Sequence, residues 1–254
     1  MKKIYILPNL ITTANIVCGF LSMIHSIQGD FNRATWLIIV AAIFDSLDGR
    51  VARMAKATSA FGVQYDSLSD LTSFGVAPAI MLYSFALHDL SRFGISVAAF
   101  YCVCAALRLA RFNVSAEEKD PTKLKKIRKG YFQGMPSPAS AGLIVTSVMM
   151  QNETGFLSGT SLNVFMAILG LLLALLMVSN IPFPSFKEVN WRSRGKAWIL
   201  LIPVVFILSV VQIPEITLFS MGFCYLVFGM IWAGYMCLIR DKKNNDGAKS
   251  ATSV

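Results

Sequence analysis

Residues Thr35–Leu87 read TWLIIVAAIFDSLDGRVARMAKATSAFGVQYDSLSDLTSFGVAPAIMLYSFAL. Two apolar runs, at about 34–54 and 64–87, each approach the ~20 residues that a helix needs to cross a bilayer. The connection near 54–61 is short enough to make the two helices antiparallel neighbours. Inside these runs lie Asp45 and Asp48, three apart, and Asp66 and Asp70, four apart. Each spacing puts its pair on one face of a helix. The stretch therefore predicts a membrane hairpin whose four carboxylates converge in one cavity.

The rest of the chain repeats the apolar signal. Of 254 residues 55% are hydrophobic and 15% charged, against about 25% charged in soluble domains, which excludes a soluble globular enzyme and leaves no room for a separate soluble domain. Further runs fall at about 8–28, 93–113, 136–151, 161–180, 197–213 and 216–239, taking ~20 residues as the unit. The expected fold is all-α, a polytopic bundle of about eight transmembrane helices, organised as a single domain over residues 1–240 with a disordered tail at 241–254. Met1-Lys2-Lys3 before an apolar run imitates a secretory signal. That run contains Pro8, Asn9 and Asn15 and lacks a convincing cleavage site, so it reads as a retained first helix.

The net charge is +9. With eight spans, all but Arg33 and Arg92 of the 23 Lys and Arg residues fall on one side, and the positive-inside rule makes that side cytoplasmic, with both termini on it. An odd number of spans would destroy this partition. The basic excess is thus a map of topology and does not indicate a nucleic-acid partner. The polar loop from Ser115 to Gln133, with Lys123, Lys125, Lys126, Arg128 and Lys129, reads as solvated, with attraction to anionic headgroups as its functional alternative. The five cysteines lie in apolar runs and read as buried thiols. His25 and His88 fall near the outer span ends, away from the acids.

Ionisable groups inside apolar spans are costly, and each is a functional candidate. Four carboxylates in a poorly hydrated cavity require compensating cations. Oxygen ligands without nearby His or Cys favour a hard ion, Mg²⁺ or Mn²⁺. Two such ions would leave positions for phosphate oxygens, the arrangement of a two-metal phosphoryl-transfer site. An ion pathway or a structural carboxylate cluster is the alternative on spacing alone. Gly49 and Ala52 leave room for a ligand beside the helix backbone, and Arg53 offers donors to a diphosphate.

The string Asp45-x-x-Asp48-Gly49-x-x-Ala52-Arg53, then Gly62-x-x-x-Asp66-x-x-x-Asp70, resembles the signature of the CDP-alcohol phosphotransferase family, whose members transfer a phosphatidyl or similar group from a CDP-linked donor to an alcohol and release CMP. The resemblance implies that Asp45, Asp48, Asp66 and Asp70 hold two metal ions and that Asp70 is also the base for the acceptor hydroxyl. It implies that Gly49 and Arg53, with Ser59 as a weaker candidate, contact the CDP moiety, and that Pro8, Asn9, Leu10, Ile11 and Thr12 close over the nucleotide. It also implies a homodimer.

Tyr65-Asp66-Ser67-Leu68-Ser69-Asp70, Ser73-Phe74-Gly75-Val76-Ala77-Pro78-Ala79, Cys104 to Asn113 and Phe132 to Pro138 are similar to the phosphatidylserine synthase branch, and the likeness, a catalytic core, covers about 5–140. The substrates so implied are CDP-diacylglycerol and L-serine, in contact with membrane lipids, at a site facing the cytoplasm from the cytoplasmic (inner) membrane. Arg108 and Arg111, three apart, and Asn113 are the candidate serine contacts. Interfacial anchoring is the alternative for the two arginines, and termination of the helix that for Asn113. Rival readings are a sister enzyme accepting glycerol 3-phosphate or an inositol phosphate, and a metal-ion transporter.

Overall fold

The computed structural model describes residues 6–54, 59–117, 131–179, 181–184, 209 and 212–251. Helices α1 (Ile6–Ile27) and α2 (Phe31–Met54) form a hairpin. Asp30 starts α2, its Oδ1 accepting from the Arg33 backbone N–H at 3.2 Å. Helix α3 (Ala60–Asp70) passes into a π-helical segment, Leu71–Val76, then α4 (Ala77–Leu82) and a second π segment, Tyr83–Leu87. The junction residues keep right-handed helical dihedrals. After one 3₁₀ turn at His88–Leu90 the chain reverses into α5 (Ser91–Glu117). A Cβ at Gly94 would stand 2.8 Å from the Leu87 carbonyl carbon, so glycine alone lets α5 leave the turn this closely. Helices α6 (Ser137–Thr154), α7 (Thr160–Val178) and α8 (Pro214–Ala251) follow. The loops before α6 and after α7 are tied by a short antiparallel ladder, β1 (Tyr131–Gln133) on β2 (Pro182–Pro184), with Tyr131 opposite Pro184.

Contacts between helices set the two ends of the bundle. Thr12 meets Asp48 and Ser22 meets Ala34 across α1 and α2. Asn113 meets Ser67 and Tyr101 meets Phe74 across α5 and its partner. Arg108 reaches Ser137 at the start of α6. At the opposite end Asn152 meets Asn32, Asn163 meets Asp89, and Phe31 packs edge-on against Phe85 at 4.9 Å. Arg33 and Arg92 lie at that far end, whereas Arg50, Arg108 and Arg111 lie at the end that holds the acids.

Four stretches, Pro8–Ile27, Ala60–Val114, Thr160–Val178 and Pro214–Trp232, are long and apolar enough to cross a membrane, which marks a multi-pass membrane protein. The second folds back on itself at the 88–91 turn. The spans expected at about 34–54 and 136–151 are present as helices α2 and α6. Composition alone does not mark them as crossing: α2 carries Asp45 and Asp48, and α6 is rich in Ser, Thr, Asn and Gln. The span expected at 197–213 falls outside the described residues except for Ser209, Gln212 and Ile213, and the basic residues of the 115–133 loop also lie outside them. Helix α8 runs on from 241 through Ala251, over the first part of the expected tail. Extending an existing helix adds one hydrogen bond per residue without a new nucleation cost.

The packing follows membrane logic. Small residues such as Ala34, Ala41, Ala77, Ala105 and Ala174 are buried between helices, while Phe20, Ile43, Phe93, Val114 and Ile168 face outward. Lipid is as apolar as leucine, so helices associate through close approach and hydrogen bonds. Gly19 marks one such close approach, since a Cβ there would stand 2.9 Å from the Cα of Ser73. The cysteines are only partly as expected: Cys104 is buried, Cys18 and Cys102 half-buried, and Cys224 exposed on α8.

Candidate active site

Asp45 and Asp48 project from the second half of α2, and Asp66 and Asp70 from α3, which packs on α1. One carboxylate oxygen each from Asp45, Asp48 and Asp66 come within 4.8 Å of one another, and the Asp70 carboxyl lies against that of Asp45. The spacing argument therefore holds in three dimensions, and all four acids meet. Among the described residues none of the four pairs with a Lys, Arg or His. Asp48 is buried and accepts from the Thr12 hydroxyl at 3.0 Å, a hydroxyl that also lies 3.1 Å from the Pro8 carbonyl. Asp66 Oδ1 and Asp70 Oδ1 are buried with no hydrogen-bond partner.

Like charges packed this closely in a poorly hydrated site repel strongly unless positive charge enters. Three carboxylates whose oxygens converge could hold a metal ion, and the two orphaned oxygens fit such a ligand, because a buried carboxylate oxygen without a donor otherwise goes unsatisfied. The donor set is oxygen only, which suits a hard divalent cation.

Helix α1 is the spine that holds the acid-bearing helices. Ser69 Oγ donates to the Thr12 carbonyl at 3.2 Å and Ser73 Oγ to the Asn15 carbonyl at 3.0 Å. The π segment begins directly after Asp70, with the Ala77 N–H bonded to the Thr72 carbonyl five residues back. Tyr101 of α5 donates to the Phe74 carbonyl at 3.3 Å and pins the widened turn. Such a bulge rotates the residues on either side relative to a regular helix. No residue pattern announced it.

The other expected site residues divide into those at the cluster and those away from it. Pro8 and Thr12 are buried, Asn9 and Ile11 half-buried, and Leu10 is 63% exposed on the outer face. Ser59 caps α3, its Oγ accepting from the Gly62 N–H at 3.0 Å. A Cβ at Gly62 would stand 3.2 Å from that Oγ and 3.8 Å from Asn9 Oδ1, so Asn9, Ser59 and Gly62 gather at the start of α3. Gly49 follows Asp48 on α2, and its backbone N–H reaches the Asp48 carboxylate. The side chain of Arg53 lies outside the described residues.

Arg108 and Arg111 part company. Arg108 turns inward, its Nη1 donating to Ser137 Oγ at 2.9 Å while its Nε is buried without a partner, and it shares the field of Asp70 and of Tyr225 on α8. Arg111 is exposed and donates to the Val178 carbonyl at the end of α7, at 3.2 Å, a helix C-terminus that favours a cation. Asn113 donates to Ser67 Oγ at 2.9 Å and does not end its helix, which continues to Glu117. Sequence reasoning missed Ser137 and Tyr225 as neighbours of Arg108. Ser67 was within reach, since it stands beside Asp66, but its partner 46 residues away was not.

Comparison with known proteins adds to this geometry. A family model described as CDP-alcohol phosphatidyltransferase matches residues 5–178. A Helicobacter pylori protein named CDP-diacylglycerol–serine O-phosphatidyltransferase is 38% identical over 247 residues, 96% of this chain and 98% of that one. A protein of the same name from Methanocaldococcus jannaschii is 33% identical over 233 residues, 91% of this chain and 96% of its own. An archaetidylserine synthase of Methanothermobacter thermautotrophicus is 37% identical over 180 residues, 70% of this chain and 69% of that one.

Proposed function

This chain belongs to the CDP-alcohol phosphatidyltransferase family, and we propose that it transfers the phosphatidyl group of CDP-diacylglycerol to the hydroxyl of L-serine, giving phosphatidylserine and CMP. The observation that carries this reading is the meeting, at one end of the bundle, of four carboxylates that form no ion pair among the described residues and a guanidinium, Arg108, whose Nε is buried and unpartnered. The names of the similar proteins support the acceptor: they agree on serine and differ in the lipid.

Asp45, Asp48, Asp66 and Asp70 would hold two divalent ions, Mg²⁺ or Mn²⁺, whose chemistry there is to neutralise the diphosphate and the departing CMP. The remaining work belongs to the chain. Gly49, Arg53 and Ser59, with Pro8 to Thr12 as cover, take the CDP moiety, and Asn9 and Ser59 at the α3 N-terminus suit a phosphate oxygen. The acyl chains stay among the lipids. Arg108 takes the serine carboxylate, with Ser137 holding the guanidinium in place. As the serine oxygen bonds to the phosphorus that carries diacylglycerol, its proton passes to Asp70, and the bond from that phosphorus to CMP breaks.

The grouping of Arg50, Arg108 and Arg111 at the acid end supports a site that opens to the cytoplasm, from a cytoplasmic membrane. A homodimer and a single catalytic domain over 1–240 complete the reading. The test is headgroup profiling of the purified protein with CDP-diacylglycerol and Mg²⁺ or Mn²⁺, offering serine, glycerol 3-phosphate and an inositol phosphate separately. CMP release with serine is expected, and its absence overturns the acceptor. A burst of CMP without acceptor, or a trapped phosphatidyl-enzyme, overturns direct displacement.

A further inference from the structure

The inner face of α1 is a stripe of buried polar residues, Thr12, Asn15, Ser22 and Ser26. Asn15 differs from its neighbours. It is 0% exposed, and both Nδ2 and Oδ1 lack a hydrogen-bond partner. A buried carboxamide with neither group bonded is destabilising, and a leucine of the same branched shape would not carry that burden.

Its position places it at the acids. Thr12, one turn earlier on the same face, donates to Asp48. Helix α2 runs antiparallel, so the next turn inward on α1 lies level with the next turn inward on α2, which carries Asp45. From the other side, the Asn15 carbonyl accepts from Ser73, one turn beyond Asp70 on the same run of helix. By this register Asn15 is level with Asp45 on one helix and with Asp70 on the other, the pair whose carboxyls lie against each other and where Asp70 Oδ1 is unpartnered.

We infer that Asn15 is a positioning residue for the acid cluster: its uncharged amide donates to the carboxylates of Asp45 and Asp70 once these have turned to take cations, and so sets their orientation. The inference rests on the proposed metal-holding role of the four aspartates. An amide suits the task because it offers two N–H donors without adding a cation that would compete with a divalent ion. Partners of this kind, one step removed from a metal, commonly change its affinity by about 10–100-fold when lost.

Titrating Mn²⁺ into the full-length protein in detergent, with free Mn²⁺ followed by electron paramagnetic resonance, separates the possibilities. A thermal unfolding midpoint in EDTA is recorded alongside. Asn15→Leu is expected to weaken Mn²⁺ binding by about 10–100-fold while the midpoint in EDTA stays level or rises, and Asn15→Ser, which keeps a polar group, is expected to recover most of the affinity. Wild-type affinity in Asn15→Leu overturns the inference, and so does a parallel fall of affinity and EDTA midpoint, which marks a packing role. If Asn15→Leu does not fold, Asn15→Ala is judged by the same two readouts. A wild-type protein that binds no Mn²⁺ overturns the metal assignment and this inference with it, an outcome distinct from equal binding by wild type and variant. The serine assay is independent of both.

Discussion

The two ends of the bundle hold aspartates in opposite circumstances. At the far end Asp30 lies 3.3 Å from Arg33 Nε and 3.8 Å from His25 Nδ1, and its other oxygen starts α2. Asp89 lies 3.1 Å from His88 Nε2 and accepts from Asn163 at 3.1 Å. At the other end Asp45 and Asp70 face each other, Asp48 has a neutral hydroxyl, and Asp66 and Asp70 each keep an orphaned oxygen. The far acids are completed by the chain itself and serve its turns. Among the described residues the clustered acids have no such partner, and a cluster of that kind could take its compensating charge from a bound cation.

The comparison breaks most sharply at Asp70. Asp70→Asn removes the proposed base and is expected to lower turnover about 10²–10⁴-fold; full turnover in that variant ends the assignment. Next comes Arg108→Ala, where loss of a charged hydrogen bond worth about 1.5–3 kcal/mol should raise the serine KM by about 10–100-fold with the CDP-diacylglycerol KM held. Arg111→Ala, on the outer face, should move the serine KM far less. Equal effects would show that the inward turn of Arg108 has no functional meaning.

Gly19→Ala probes the scaffold. Its Cβ would press on Ser73 and move α1 off the π segment, an overpacking cost of about 1–3 kcal/mol read as a lower thermal midpoint, with reduced turnover because Thr12 and Asn15 shift with the helix. The smallest effect belongs to the far end. Asp30→Asn keeps a good helix start and loses an exposed ion pair, so stability should change by less than about 1 kcal/mol and turnover hardly at all. A large loss of activity there would erase the distinction between the two ends.

Much of the site was legible because it is local. The spacings of Asp45 with Asp48 and of Asp66 with Asp70 are within a helix turn, and a helix turns three- and four-residue spacing into a shared face. The same rule says less about Arg108 and Arg111, whose partners differ. Three apart, they start on neighbouring faces, but α6 covers one while the other reaches the end of α7. Cys224 lies in an apolar run, and such runs point one side outward to lipid.

From the sequence alone came the class of the molecule and the kind of chemistry. Span length, scarcity of charge and the spacing of four acids are all properties of a line, and bilayer thickness and helix pitch convert them directly into structure. Tertiary structure alone decided which of those groups are satisfied. Thr12 with Asp48, Asn15 with Ser73, Arg108 with Ser137 and Tyr101 with Phe74 join different helices. Whether a buried polar atom has a partner depends on distances of about 3 Å across those joins, and no spacing along one helix encodes them.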